Sequence, residues 1–278
     1  MNLEQLRREY HKAICQQVLG YRAEVPNIAD KGSKRSIELA KGILTRMGFP
    51  PCLEPPTGQR AGALFEALTL DYLEKAFRLI RHLRPGDWTF SVHGDVTAFD
   101  QYEHLTDLAQ VLAKHPGLRA TLGDYLVKPD IAVGRSPVSD RQINQDAEIL
   151  QRGTATLTPL RADNFPDPKP ILHASISCKW TIRSDRSQNA RTEGLNLIRN
   201  RKGNTPHVVI VTAEPLPSRI ASVALGTGDL DCVYHMALYE LGESVEEVGD
   251  ETLGEMFDLL VDGKRLRDIS DMPFDLAI

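Results

Sequence analysis

No stretch of this 278-residue sequence approaches the about eighteen consecutive apolar residues that a bilayer-spanning helix requires, so a membrane protein is not expected. Cysteine is scarce: Cys15, Cys52, Cys178 and Cys232 lie far apart with no C-x-x-C pair. That spacing argues against a zinc ribbon or a disulfide framework and fits a reducing cytoplasm. The first residues, MNLEQLRREYHKAICQQV, lack the apolar core and small-residue cleavage site of a secretory signal. H-E-x-x-H, G-x-S-x-G and a phosphate-binding loop are missing too, which removes the commonest hydrolase and nucleotide-binding signatures. The run Gly226 to Asp231 lacks the spacing of a calcium loop and reads as a turn. His173, one of eight scattered histidines, reads as structural.

The formal net charge of −5 speaks against a protein that coats nucleic acid indiscriminately, but the charge is unevenly spread. From Lys179 to Lys202 seven basic residues (Lys179, Arg183, Arg186, Arg191, Arg199, Arg201, Lys202) face two acids, Asp185 and Glu193. The length suffices to bury a substantial core without a disulfide or structural metal. No repeat, low-complexity tract or linker divides it, so one domain over residues 1–278 is expected.

Periodicity predicts helices over residues 2–18, about 37–47, about 61–83 and 101–114, and strands over Trp88–Val96 and from Ile131 after the Pro129-Asp130 turn. The polar stretch from Arg135 to Lys169 reads mainly as connection. From Ile171 the pattern runs strand, turn, helix, strand: ILHASISCKWTI, RSD, a helix of about residues 186–199, then HVVIVTAE. Such a unit normally makes two parallel strands joined by a right-handed helical crossover. The fold class is α/β, a mixed central β-sheet flanked by helices.

In the strand from Ile171, alternation puts His173, Ser175, Ser177 and Lys179 on one face and Leu172, Ala174, Ile176, Cys178 and Trp180 on the core face. An ammonium at the end of a largely buried strand needs an anion nearby. Asp130, at the start of another strand, and Glu193, on the helix that follows, offer carboxylates. Phosphodiester hydrolysis with a divalent metal needs such a set: carboxylates for the ion, the ion to offset phosphate charge, and a cation to orient water or steady the transition state. Each residue also has an ordinary reading, since Pro-Asp usually marks a turn and a helical glutamate is usually solvated. Ser184 or Asp185 could simply cap the helix, but capping leaves Arg183 and Arg186 unexplained at a positive helix end. Arginine pairs with guanine O6 and N7 in the major groove, and aspartate accepts from cytosine N4, so Arg183, Asp185 and Arg186 together suit G·C pairs.

The stretch SISCKWTIRSDRSQNARTEGLNLIRNRKG resembles the catalytic and DNA-reading segment of the NgoMIV-like type II restriction endonucleases, in the CCGG-core group of the PD-(D/E)xK nucleases. The likeness continues through HVVIVTAEPLPSRIASVALGTGDLDCVYHMALYEL, RPGDWTF, KPDIAV, FEAL and GKRLRDISDMPFDLAI, and covers most of the chain. It implies a restriction-endonuclease-like core with Asp130 as the central metal-binding carboxylate and Lys179 as the catalytic lysine. Glu193 becomes the helix-borne acid that replaces a strand acid at Ser177, with the Cys178 carbonyl as a further metal ligand and Glu66 near the metal. It also implies that Arg183, Asp185 and Arg186 read the inner CCGG bases. Asp30 and Ser33 would read the outer G·C pair, with Gln59 approaching from the minor groove.

The expected activity is Mg²⁺-dependent cleavage of double-stranded DNA at G/CCGGC, leaving 5′-phosphate ends and a four-base 5′ overhang. The expected assembly is a homodimer pairing into a homotetramer that holds two sites, in the cytoplasm, beside a cognate DNA methyltransferase acting on the same sequence. A repair-type nuclease on the same core, or a DNA-reading protein without catalysis, are the rival readings.

Overall fold

Helix starts in this protein follow local chemistry. In the computed structural model, Asn2 and Gln5 exchange side-chain and backbone hydrogen bonds as a capping box that opens α1 (Leu3–Gln17). The hydroxyl of Ser33 accepts from the Ser36 N–H and opens α2 (Lys34–Met47). All residues are described except Pro116, residues 118–125, Arg183 and Thr227, and for residues 184–188 the backbone alone is described.

A short hairpin, β1 (Tyr21–Arg22) and β2 (Val25–Pro26), separates these helices, and α3 (Gly58–Leu79) follows the proline loop. Then come β3 (Trp88–Val92), a 3₁₀ turn Asp100–Leu105 leading into α4 (Thr106–Lys114), β4 (Ile131–Arg135), the four-residue α5 (Asp140–Ile143) and β5 (Ile171–Lys179). The C-terminal part comprises α6 (Ser184–Asn200), β6 (His207–Thr212), α7 (Pro217–Ala224), β7 (Cys232–His235), α8 (Leu238–Val248), α9 (Glu251–Asp262), β8 (Leu266–Asp268) and α10 (Met272–Asp275).

The main sheet has six strands in the order β3-β4-β5-β6-β7-β8. β3 and β4 are antiparallel, while β6, β7 and β8 are parallel. This is the mixed, helix-flanked α/β sheet that the sequence pattern implies. Among the described residues no helix is long and apolar enough to cross a membrane.

The chain forms two compact units, Met1–Arg84 with Ile176–Gly194 and Val208–Ile278, and Pro85–Ser175 with Leu195–His207. In the first, α1 packs on α3 through Tyr10 and Tyr72, whose ring centroids are 5.1 Å apart, and the Tyr10 hydroxyl bonds Thr69. One end of α1 is fixed by charge. The Arg7 guanidinium donates to both oxygens of Glu240 on α8 (2.8 and 2.6 Å) and to both oxygens of Asp268 on β8 (2.9 and 2.8 Å). Beside it, the ring of His11 bonds the Met236 carbonyl, and burial pushes that imidazole below its usual range, so it stays neutral.

In the second unit, β3 and β4 pair from Trp88↔Arg135 to Val92↔Ile131. The Gln101 side chain closes both the N–H and the carbonyl of Leu172, and the Tyr102 hydroxyl donates to the Leu197 carbonyl. His173 lies edge-on to Trp88 and to His207, with centroids 4.8 and 5.0 Å away, which bears out its structural reading.

Several boundaries differ from expectation for identifiable reasons. α3 ends at Leu79, so Leu83 is exposed rather than part of the apolar face. β3 stops at Val92 because His93 turns the chain with a positive φ of 53°. β5 stops at Lys179 instead of Ile182, since the Ile182 N–H is taken by the side chain of Glu214. The polar face assigned to β5 is also covered over part of its length: His173 and Ser175 are buried, and only Ser177 and Lys179 among the four are half-exposed. A central strand covered on both faces is the ordinary outcome in a helix-flanked sheet.

Arg7→Ala would strand a fully buried Asp268, a change that costs about 3–5 kcal/mol in comparable pairs. The expected result is a lower urea midpoint with an unchanged slope. Burial alone would raise the Asp268 and Glu240 carboxyls, but the Arg7 bonds outweigh it and hold both below the usual range. Their contribution is therefore present at neutral pH and lost as pH falls through the depressed folded values. Melting curves between neutral and acid pH should show that loss in the wild type and a smaller one in Arg7→Ala.

Candidate functional site

The end of β5 is built to a fixed stop. The Lys179 carbonyl accepts from the Thr212 hydroxyl (2.8 Å) and from the Ala213 N–H (3.4 Å). Three residues on, the Ile182 N–H donates to Glu214. Lys179 thus occupies the last position of the strand and is half-exposed, while the Cys178 side chain points into the core. Trp180 meets Phe65 of α3 edge-on, with centroids 5.2 Å apart, which ties the segment after Lys179 to the helix that carries Glu66 at the next position.

Helix α6 brings Glu193 to this strand. A Cβ at Gly194 would come within 2.7 Å of the Asp229 carbonyl oxygen and 3.1 Å of Val208, so only glycine lets the helix lie this close. The Ser177 hydroxyl donates to the Glu193 carboxylate at 3.5 Å. The strand serine and the helix acid, two and fourteen residues from Lys179 along the chain, therefore meet as side chains.

In the other unit Asp130 immediately precedes β4, and its carbonyl accepts from the His93 N–H at 3.1 Å. The Asp130 carboxylate and the His93 imidazole offer ligand atoms within 4.8 Å of one another. The carboxylate suits a hard ion such as Mg²⁺, whereas an imidazole is a ligand of softer transition metals. His93 went unnoticed in the sequence reading. The only local sign is that its H-G-D run sits at the end of a predicted strand, where a non-glycine residue with positive φ often marks a functional turn.

Asp30 is ion-paired to Arg219 of α7, and its other oxygen accepts from the Gly32 N–H. Ser33 spends its hydroxyl as the cap of α2, and Gln59 is exposed in the first turn of α3. Arg183 lies outside the described residues, as do the side chains of Asp185 and Arg186 and hence the capping role considered for Ser184 or Asp185.

Two more residues escaped the sequence reading, Glu214 and Arg219. Glu214 is fully buried at the end of β6, and Arg219 Nη1 lies 3.9 Å from its carboxylate. Burial pushes this carboxyl up to about 7, although bonds from the Ile182 and Leu216 N–H groups and the charge of Arg219 pull the other way. An acid two residues after an apolar strand and directly before a proline was the available signal.

The family described as NgoMIV restriction enzyme matches residues 10–278. The type II restriction enzyme NgoMIV of Neisseria gonorrhoeae is 47% identical over 283 aligned positions, covering 99% of this chain and 98% of that protein. Among solved structures, a complex of the restriction endonuclease PspGI with substrate DNA aligns with a TM-score of 0.37 at 16% identity, over 78% of this chain and 60% of that one. The type IIF restriction endonuclease Bse634I with cognate DNA aligns with a TM-score of 0.35 at 14% identity, over 90% of this chain and 93% of that one.

Proposed function

For a chain that belongs to the NgoMIV restriction enzyme family, and is thus a type II restriction endonuclease, we propose Mg²⁺-dependent cleavage of double-stranded DNA at the palindrome G/CCGGC. Hydrolysis breaks the phosphorus–O3′ bond, leaving 5′-phosphate and 3′-hydroxyl ends with a four-base 5′ overhang. The observation that carries the reading is the Ser177–Glu193 contact. It supports a helix carboxylate standing in for the acid that serine replaces on the strand, within the set Asp130, Lys179 and Glu193.

Asp130 and the Cys178 carbonyl would hold the ion, with Glu66 as a further oxygen donor. When bound, the ion supplies Lewis acidity toward the phosphate and a lowered pKa for the attacking water. The chain's own groups do the rest. Lys179, fixed at the strand end, presents its ammonium to the water and to the charge that develops on phosphorus. Glu193, steadied by the Ser177 hydroxyl, accepts hydrogen bonds or a proton from the same water.

Arg183, Asp185 and Arg186 read the inner CCGG bases in the major groove. Asp30 and Ser33 read the outer pair, and Gln59 approaches through the minor groove. Asp30 is held by its ion pair with Arg219, and the acceptor capacity left on its carboxylate is what receives the amino group of the outer cytosine. The protein acts in the cytoplasm as one domain over residues 1–278. Two copies read the palindrome by two-fold symmetry and pair again into a homotetramer on two sites. A DNA methyltransferase of the same specificity protects the host.

Plasmids with zero, one or two GCCGGC sites, digested with Mg²⁺ or EDTA and end-sequenced, test this directly. Cutting is expected only at that sequence, only with Mg²⁺, and faster with two sites. Lys179→Ala should bind the site and not cut it. Asp185→Ala should lower discrimination at one G·C position by ~1–3 kcal/mol. Sequence-blind cutting, or parallel loss of binding in both variants, would sink the assignment.

A further inference from the structure

A buried carboxylate is costly unless each oxygen is used, and Glu214 uses both. One oxygen accepts from the Ile182 N–H at 2.9 Å, the other from the Leu216 N–H at 3.2 Å. Its own N–H donates to the Thr212 hydroxyl at 3.1 Å, and that hydroxyl donates to the Lys179 carbonyl. Glu214 and Thr212 therefore grip the chain at two points, Lys179 and Ile182, on either side of the exit from β5. Ile182 is the residue that leads into Arg183. A third arm runs from the same carboxylate to Arg219, 3.9 Å away, and from Arg219 to Asp30.

We propose that Glu214 is a positioning residue for DNA recognition, holding the entry to the inner-base readers through Ile182 and the outer-base reader Asp30 through Arg219. This rests on the assignment of Arg183, Asp185, Arg186 and Asp30 as readers. A merely structural role does not explain the choice of residue. Removing a buried charge in favour of neutral packing is often neutral or stabilising for a fold. Glutamine has the same shape but only one acceptor oxygen, so its amide would face a backbone N–H with a donor. Aspartate is one methylene too short to span both N–H groups.

The same geometry makes recognition depend on pH. Above about 7 the carboxylate is ionised and accepts from both N–H groups. Below that value one oxygen carries a proton and one N–H loses its partner. The charged and titratable groups around it are Arg219 of α7, Asp30 behind that guanidinium, and His235 of β7, which burial keeps neutral by pushing its pKa down to about 4.

The test is kcat/KM with Mg²⁺ on GCCGGC and on duplexes carrying one inner or one outer substitution, from pH 6 to pH 8.5, with the melting temperature of each variant. Wild-type discrimination should rise with pH. Glu214→Gln should lose roughly tenfold at both inner and outer positions, the weight of a hydrogen bond to a charged group, and lose the pH dependence. Arg219→Gln should lose it at the outer position alone.

Wild-type discrimination in Glu214→Gln, or an equal drop in rate on every sequence, overturns the proposal. If Glu214→Gln does not fold, a flat wild-type pH profile together with unchanged outer discrimination in Arg219→Gln overturns it as well. Asp185→Ala and Asp30→Ala run alongside: if neither alters discrimination, the reader assignment fails and the role of Glu214 falls with it.

Discussion

The stop at the end of β5 is the constraint on which the site depends. A strand continues while its N–H and carbonyl groups find ladder partners. Here the Lys179 carbonyl is closed by Thr212 and Ala213, and the Ile182 N–H is diverted to Glu214. The chain therefore leaves the sheet at Lys179, whose side chain stands at the strand's last position. Glu193 comes to the same strand because Gly194 removes the one atom that would hold α6 away.

The frame that supports this strand end is closed by charge as much as by apolar packing. Arg7 joins the first helix to β8 and α8, elements more than two hundred residues away in sequence. Asp268 is inaccessible to solvent, and its remaining capacity goes to Ser270 and to the Leu238 N–H. A network satisfied at every oxygen fixes one arrangement, whereas a partly satisfied one would cost more than an apolar core.

The residues proposed for recognition and for catalysis lie along the same short segment of chain. Ser177, Cys178 and Lys179 belong to the strand, and Arg183, Asp185 and Arg186 follow within seven residues. A group that moves the strand exit moves both. On that assignment, the buried Glu214 bears on which sequence is read through its bond to the Ile182 N–H.

Apart from the family resemblance, which implies Asp130, Lys179 and Glu193 as a nuclease set, the sequence by itself determined the local features: the Pro129-Asp130 turn into a strand and the strand–helix–strand unit from Ile171. These are legible because alternation and helical periodicity report geometry over a few residues. The same rule misled where burial is decided from outside the strand, as with His173 and Ser175, since periodicity cannot say that a second layer covers the polar face. Only the tertiary structure decided the Arg7 network, the use of Ser33 as a cap, the Asp130–His93 pair and the Glu214–Arg219–Asp30 chain. Their partners are remote, 189 residues apart for Arg219 and Asp30. No local pattern encodes which carboxylate a guanidinium will meet once the chain has folded back on itself.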